Sequence, residues 1–144
     1  MSPLSLGGIT LSAPSHWTFV AFENMILAHT GAKLGTLQTS LAFRHRAPAP
    51  ATHDQCLGVA LEFVNIDPSA LFDGQSSGHG KRLFGGASFG PRETPRRVFY
   101  THDGIGLIVA LYQARQPGAR SEMAESGEIL RGASYSQNKT EQAV

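Results

Sequence analysis

Two neighbouring runs of β-forming residues constrain the fold of this chain more than any other feature. Residues 97–101 and 105–114 are rich in valine, isoleucine, leucine and aromatic residues, and Asp103 and Gly104 stand between them. An Asp-Gly pair favours the type I′ turn that joins two antiparallel strands through a two-residue loop. The sequence therefore predicts a β-hairpin here, and an antiparallel sheet around it.

The register of this predicted hairpin assigns its side chains to two faces. Counting outward from a two-residue turn pairs Tyr100 with Leu107, and residues opposite one another share a face. We interpret one face as core, and the other face is too apolar for free exposure to solvent. That second face is covered either by a helix or loop of this chain or by a partner. The first face carries Val98, Tyr100, Leu107, Val109 and Leu111, and the second carries Arg97, Phe99, Thr101, Ile108, Ala110 and Tyr112.

Two segments have the apolar spacing of helices. After the extended linker 47–51, Thr52 and Gln55 have the spacing of a capping box. An apolar stripe at helical spacing follows it, at Leu57, Ala60, Leu61 and Val64. Further on, Ser121 is the predicted N-cap of a second helix that ends at Gly132. Its predicted apolar positions are Met123, Ala124, Ile129 and Leu130.

The remaining strands complete the predicted fold. Strands are expected at 8–12, 24–30, 36–44, 81–89 and 133–135, with a further run of β-formers at 17–22. The Gly- and Ser-rich residues 73–80 are expected to form a flexible loop. This order predicts an α+β domain with a single antiparallel β-sheet and two main helices packed on it. We expect one domain over 1–135, followed by a disordered polar tail over 136–144.

Charge is sparse and nearly balanced. Charged residues make up 16% of the chain, and 12 Lys and Arg against 11 Asp and Glu leave a net charge of +1. This is too little for the basic surface that nucleic-acid binding requires. No run of apolar residues is long enough for a membrane span, and the N-terminus lacks the basic region of a signal peptide. We therefore expect a cytoplasmic protein without a membrane span.

Several short motifs resemble catalytic or metal-binding signatures but lack their context. Residues 86–90 match G-x-S-x-G with Ser88 as the nucleophile, yet Pro91 and Pro95 follow where that motif needs a helix. The sole cysteine, Cys56, lies in the first predicted helix and is expected to be a buried apolar residue. The six histidines show no metal-ligand spacing. We expect no catalytic residue, no metal and no cofactor, so the chain is predicted not to be an enzyme.

Both ends of the chain resemble PsbP-like and DcrB-like domains. The pattern Ile9-x-Leu11-x-x-Pro14-x-x-Trp17 resembles the opening of these domains, a strand followed by P-x-x-W. The strand 105–114, a helix, and the residues 129–131 before a short strand resemble their end. The resemblance leaves out the middle of the chain, 65–95. It implies a sandwich of an antiparallel sheet and helices, a binding or assembly role, and no catalytic residue to transfer.

The resemblance also implies a kind of partner. Cytoplasmic bacterial members of the DcrB-like group include small adaptor chaperones for type VI secretion effectors, which hold apolar effector helices against the sheet and often dimerise. We therefore expect a non-catalytic adaptor or chaperone for a secreted effector, with a homodimer as a further expectation. The predicted partner-binding residues are Phe99, Ile108, Tyr112 and Arg97.

Two other functions stay open. An immunity-type protein could bind and neutralise a toxin through its charged edges over 81–97, where Lys81, Arg96 and Arg97 would carry the interaction. A small serine hydrolase that uses Ser88 is the third hypothesis.

Overall fold

The computed structural model describes residues 2–22 and 24–136, which contain ten β-strands and two α-helices. The helices are α1 (His53–Val64) and α2 (Arg120–Arg131), and a short 3₁₀ helix spans Pro68–Ala70. The strands are β1 (Ser2–Leu6), β2 (Ile9–Ala13), β3 (Trp17–Phe22), β4 (Met25–Thr30), β5 (Gly35–Arg44), β6 (Phe72–His79), β7 (Arg82–Phe89), β8 (Arg96–Asp103), β9 (Gly106–Ala114) and β10 (Ser134–Tyr135). Strand is thus the dominant secondary structure, and the predicted α+β class is confirmed.

The strands form two sheets, so the predicted single sheet is wrong. Seven strands pair antiparallel in the order β3-β4-β5-β9-β8-β7-β6, and three pair antiparallel in the order β1-β2-β10. The physical reason is that β2 pairs with β1 on one edge and with β10 on the other. No edge of β2 is left for β3, and the chain therefore starts a new sheet after Pro14.

The small sheet depends on a tight hairpin at the start of the chain. Leu6 pairs with Ile9, so Gly7 and Gly8 form a two-residue turn with φ of +60° and +90°. Positive φ at both central positions is the type I′ geometry, which glycine adopts without strain. Residues 2–6 have only a weak strand pattern, so the sequence predicts β2 but not its partner β1.

The two helices lie on opposite faces of the seven-stranded sheet. On one face, Cys56, Ala60 and Leu61 of α1 are buried together with the predicted core face of the β8–β9 hairpin. On the other face, α2 and the three-stranded sheet cover the second hairpin face. That second core cluster includes Ile9, Leu11, Trp17, Leu37, Phe99, Ile108, Tyr112, Ile129 and Leu130. Both faces of the hairpin are therefore core.

The β8–β9 hairpin keeps its predicted faces but not its predicted register. Tyr100 pairs with Val109 rather than with Leu107. The loop is longer than two residues because Asp103 Oδ1 accepts hydrogen bonds from the backbone N–H groups two and three residues further on, both at 2.9 Å. A shift of two positions leaves every side chain on its predicted face, since side chains along a strand alternate with a period of two.

Helix α1 begins and is capped as the sequence predicts. The backbone N–H of Gln55 donates to Thr52 Oγ1 at 3.1 Å, and the N–H of Thr52 donates to Gln55 Oε1 at 3.0 Å. These two bonds confirm the capping box. Cys56 is buried, and burial raises the pKa of its thiol to about 11. The thiol is therefore protonated at neutral pH, which agrees with the predicted apolar role.

Helix α2 differs from its prediction in its start and in its buried face. The N-cap position is Ala119, which makes no side-chain capping bond, so Ser121 is not the cap. Glu122 and Ser126 are buried, whereas Ala124, a predicted apolar contact, is exposed. The buried face of α2 differs from the expected one because hydrogen bonds from Thr30 and Tyr112 hold the Glu122 side chain in the core.

Residues 73–80 belong mainly to a strand, and the predicted flexible loop is wrong. β6 pairs with β7 in a continuous register from Gln75 to His79, and Gly80, with φ of +72°, begins the turn between them. The Gly- and Ser-rich composition of this segment does not predict a strand, because pairing with β7, and not β-propensity, holds the strand in place. β6 ends the large sheet, and all of its residues after Phe72 are exposed.

Both helices are short, with twelve residues each. A helix that crosses a bilayer needs about 20 apolar residues. Over residues 2–22 and 24–136, no helix has the length and apolar character to cross a membrane.

The predicted disordered tail lies almost wholly outside the described residues. Ser136 is its one described residue, and its backbone N–H donates to the Gly8 carbonyl oxygen at 2.9 Å. This bond extends the contact between β10 and β2 by one residue.

Candidate protein-binding groove

Three of the four predicted partner-binding residues lie in the core. Phe99, Ile108 and Tyr112 are at most 2% exposed and pack with Ile129 and Leu130 of α2. The hairpin face that a partner was expected to cover is therefore covered by this chain itself. These three side chains are not available to a partner in this structure, and polar substitution there would disturb the core.

A buried carboxylate fixes α2 over this face. Glu122 Oε1 accepts a hydrogen bond from Tyr112 Oη at 2.8 Å, and Oε2 accepts one from Thr30 Oγ1. The backbone N–H of Leu34 also points to Oε2, at 3.4 Å. Burial, together with the hydrogen bond to Glu122, raises the pKa of Tyr112 above its ordinary value. Because Glu122 links α2 to both β4 and β9, it sets the position of the helix.

A groove with a volume of about 750 Å³ lies between α2 and β6. Its floor is apolar and includes Phe84 of β7, Phe99 of β8 and Met123 of α2. The Phe84 and Phe99 rings stack with their centroids 6.2 Å apart. Phe72 of β6 and Ala124 of α2 stand at its two sides. We refer to this feature below as the α2–β6 groove.

Glycines allow the floor of the α2–β6 groove to be flat. A Cβ on Gly86 would lie only 2.9 Å from Phe99 Cδ1, closer than side chains tolerate. The ring of Phe99 therefore lies across β7 only because residue 86 has no side chain. At Gly127 of α2, by contrast, a Cβ would lie 3.5 Å from Phe99 Cε1, which is an ordinary contact distance.

Two predicted partner-binding residues line the α2–β6 groove, the buried Phe99 and the partly exposed Arg97. Arg97 Nη1 donates to the Asp73 carbonyl oxygen at 2.8 Å and to Ser88 Oγ at 2.9 Å. Burial lowers the pKa of Arg97, and the charge of Asp73 opposes that change. Arg97 is thus a partly buried cation whose hydrogen bonds go to two uncharged acceptors.

Other charged side chains surround the α2–β6 groove. The Arg92 guanidinium lies 4.0 Å from the centre of the Phe72 ring, and Arg131 lies 4.6 Å from that of Phe84. Arg131 also forms an ion pair with Glu128, at 3.8 Å. The charged residues of the lining are Asp73, Arg92, Glu93, Arg97, Arg120, Glu128 and Arg131. Cations therefore outnumber carboxylates by four to three.

The basic residues over 81–97 do not form one patch. Lys81 directly precedes β7, whereas Arg96 pairs with Phe89 at the far end of that strand. Arg96 stacks on Phe89 on the α1 side of the sheet, with 4.8 Å between the guanidinium and the ring centre. Arg97 faces the opposite side, towards the α2–β6 groove. The charged edge expected for an immunity-type protein is therefore divided between two ends and two faces.

Ser88 lies within a strand rather than at a nucleophile elbow. It is buried in β7, and its Oγ accepts a hydrogen bond from Arg97 Nη1. The chain continues from β7 through a turn into β8, without the helix that the G-x-S-x-G motif of hydrolases requires. The geometry gives the hydrolase hypothesis no support.

The histidines form pairs and backbone contacts. His102 Nε2 lies 2.9 Å from His45 Nε2, and His102 Nδ1 lies 2.7 Å from the Lys81 carbonyl oxygen. His53 Nδ1 lies 2.6 Å from Tyr100 Oη. Across the described ranges 2–22 and 24–136, no group of three His, Cys, Asp or Glu side chains is placed to hold a metal ion.

Most residues of the α2–β6 groove were not singled out from the sequence. Phe72 carries no prediction, Gln75 falls in the predicted loop 73–80, and the predicted exposed face of α2 differs from the observed one. One signal was present in β7, where Phe84, Gly86 and Ser88 alternate and so share a face. All three are buried in the structure, so this shared face shows their position next to the groove and not its opening.

These layers and this strand order define a PsbP-like fold, as the sequence resemblance implied. The solution structure of cyanobacterial PsbP (CyanoP) from Synechocystis sp. PCC 6803 is similar to this chain, with a TM-score of 0.56 and 10% sequence identity. The similarity covers 94% of this chain and 92% of that chain. At this identity the likeness shows the fold alone. No known family model and no curated protein sequence matches the chain.

Proposed function

We propose that this chain is a non-catalytic protein-binding domain whose binding site is the α2–β6 groove. The observation that carries the proposal is the groove itself, whose lining includes the partly exposed apolar residues Phe72 and Met123 and which no helix or strand of the described residues fills. Apolar surface within a polar rim is typical of interaction sites. The volume of about 750 Å³ is in the range of specific ligand sites, so it has room for side chains of a partner.

The exposed end strand β6 also favours a protein as the partner. β6 pairs with β7 on one edge only, and it forms one side of the α2–β6 groove. Exposed strand edges next to side-chain pockets are a recurring site for extended segments of other proteins. A partner segment that enters the groove would therefore find backbone groups as well as an apolar floor.

More specifically, we propose that the chain is a cytoplasmic adaptor or chaperone for a secreted effector of a type VI system. It is supported by the PsbP-like fold and by the resemblance at the two ends of the chain. In this proposal the effector contacts the α2–β6 groove rather than the buried residues Phe99, Ile108 and Tyr112.

Affinity capture with a matched pair of variants tests the proposal. Ala124→Trp puts a bulky side chain into the α2–β6 groove from an exposed position of α2, and Ser121→Trp puts the same side chain on α2 outside the groove lining. We expect Ala124→Trp to remove the protein that the native chain captures from its host, and Ser121→Trp to retain it. Equal capture by both folded variants would contradict the proposal.

The same experiment separates the alternative function. An immunity-type protein that recognises a toxin by charge would lose it when Lys81 and Arg96 are reversed in charge, and at high salt. Both residues lie outside the lining of the α2–β6 groove. Loss of capture in that variant, with full capture by Ala124→Trp, would favour the immunity-type function instead.

For the expected homodimer, we propose β3 as the contact. It is the other end strand of the large sheet, has no charged residue, and exposes Val20 by 49% and Phe22 by 53%. A lysine at an edge strand opposes strand pairing. We therefore expect Val20→Lys to convert a dimer into a monomer in sedimentation analysis, and an unchanged mass would contradict this contact.

A further inference from the structure

Arg97 has hydrogen-bonding capacity that the described part of the chain, 2–22 and 24–136, does not use. Its Nη1 makes two hydrogen bonds, to the Asp73 carbonyl oxygen and to Ser88 Oγ, which accounts for both Nη1 hydrogens. A guanidinium has five N–H donors, so Nε and Nη2 retain three. In the described residues no buried side-chain nitrogen lacks a hydrogen bond. The remaining N–H groups of Arg97 are therefore accessible from the α2–β6 groove.

The two ion pairs found in the described residues do not involve Arg97. Burial lowers the pKa of Arg97, and the Asp73 carboxylate opposes this effect without forming an ion pair. A partly buried cation without a close carboxylate is costly unless a ligand supplies the countercharge. Among the described residues, Asp73 therefore acts on Arg97 without a direct ion pair, and the position next to Nε and Nη2 is left for another anion.

The donor geometry specifies which anion fits. Nε and Nη2 of a guanidinium point in nearly parallel directions and form the two-pronged fork that binds both oxygens of one carboxylate. In the same lining, Phe72 of β6 and Met123 of α2 are partly exposed apolar side chains. The site therefore combines a bidentate carboxylate position with an adjoining apolar position.

We infer, building on the proposed function, that the partner enters the α2–β6 groove as an extended internal segment that carries an acidic side chain next to an apolar one. The acidic side chain binds Arg97 through the Nε–Nη2 fork, and its apolar neighbour packs against Phe72 and Met123, which are partly exposed apolar residues of the groove lining. Arg92 and Arg120 add cations from two other parts of the lining, the turn before β8 and the start of α2. Cations distributed in this way favour an elongated occupant over a compact small molecule.

Selection from a library of end-capped random peptides tests this inference on the purified full-length chain. End-capping removes the terminal carboxylate, so an acid in the selected peptides must come from Asp or Glu side chains. We expect enrichment of an acidic residue beside an aliphatic or aromatic one. Loss of one bidentate ion pair predicts that Arg97→Gln weakens the best peptide by on the order of tenfold or more.

The neighbouring residue offers a matched control. Arg96 has the same side chain but stacks on Phe89 on the opposite face of the sheet. Arg96→Gln should leave peptide affinity unchanged, and Arg97→Lys should lose part of it, because lysine keeps the charge but not the fork. Replacing the peptide's Glu by Gln should weaken binding to the native chain but not to Arg97→Gln. Thermal melting identifies the variants that are folded.

Three outcomes would overturn the inference. The first is enrichment without acidic residues, the second is equal affinity in the folded Arg97→Gln and Arg96→Gln variants, and the third is binding only of free carboxylates or uncapped termini. If Ala124→Trp abolishes partner capture while Arg97→Gln does not, the inference fails and the proposed function stands. If neither variant affects capture, the proposed function itself fails.

Discussion

Removing the carboxylate of Glu122 should destabilise the fold strongly, although the residue is charged and lies on a helix. In Glu122→Ala, the hydroxyl groups of Thr30 and Tyr112 lose their acceptor, and both residues are at most 3% exposed. A buried donor left without a partner costs about 1–3 kcal/mol. The two together predict a loss of about 2–6 kcal/mol in the free energy of unfolding, out of the ~5–15 kcal/mol typical of a domain.

Urea denaturation followed by tryptophan fluorescence measures this loss. Trp17 is the sole tryptophan of the chain, and its Nε1 donates to Glu125 Oε1 of α2 at 2.9 Å. Its emission therefore reports on the contact between α2 and the sheet. Glu122→Gln keeps one carbonyl oxygen as an acceptor, so its cost should be smaller than that of Glu122→Ala.

The control is a carboxylate on the same helix that faces solvent. The side chain of Glu128 is 75% exposed and forms only the 3.8 Å ion pair with Arg131. Pairs of this kind contribute about 0–1 kcal/mol, so Glu128→Ala should be close to neutral. A loss of less than about 0.5 kcal/mol in Glu122→Ala, or a similar loss in both variants, would refute the role assigned to Glu122.

Three further predictions concern the capping box, the hairpin loop and alkaline stability. Thr52→Ala should lower the free energy of unfolding by about 1 kcal/mol in urea titration, because α1 loses its N-cap. Asp103→Ala should lower it by about 2 kcal/mol, because the N–H groups of Ile105, Gly106 and Tyr135 lose their acceptor. Burial raises the pKa of Tyr100 from 10.0 to about 12, so the unfolded chain releases this proton first. The part of the stability that depends on Tyr100 should be intact below pH 10 and be lost towards pH 12 by up to about 1.4 kcal/mol per pH unit, and Tyr100→Phe should reduce the slope over that range.

Local signals in the sequence predicted the elements that depend on local chemistry. The capping box at Thr52, the faces of the β8–β9 hairpin and the end of α2 at Gly132 all follow from residues close together in the chain. The hairpin register was predicted less well, because the Asp103 side chain binds backbone N–H groups of the loop and lengthens it. Its faces were nevertheless right, since an error of two positions does not change side-chain parity.

The elements that were missed depend on distant pairing. β6 has a loop-like composition and is a strand because β7 holds it, and β2 lies in a separate sheet because β1 and β10 occupy both of its edges. The buried face of α2 was missed for a related reason. Glu122 is placed in the core by partners on β4 and β9, and a hydrophobic pattern assigns such a residue to the surface.

The two adjacent arginines show why the site could be predicted only in part. Arg96 and Arg97 are equivalent in composition and in any count of local charge, yet strand alternation places them on opposite faces of the large sheet. The alternation of side chains along β8 is enough to place Arg97 on the same face of the sheet as Phe99. Whether that face is open at Arg97 and closed at Phe99 depends on how far α2 reaches across the sheet. Because Glu122 fixes α2 through Thr30 of β4 and Tyr112 of β9, the opening follows from tertiary contacts that link residues far apart in the chain. A change that moves α2 without touching Arg97 should therefore alter binding in the α2–β6 groove as much as a change in Arg97 itself.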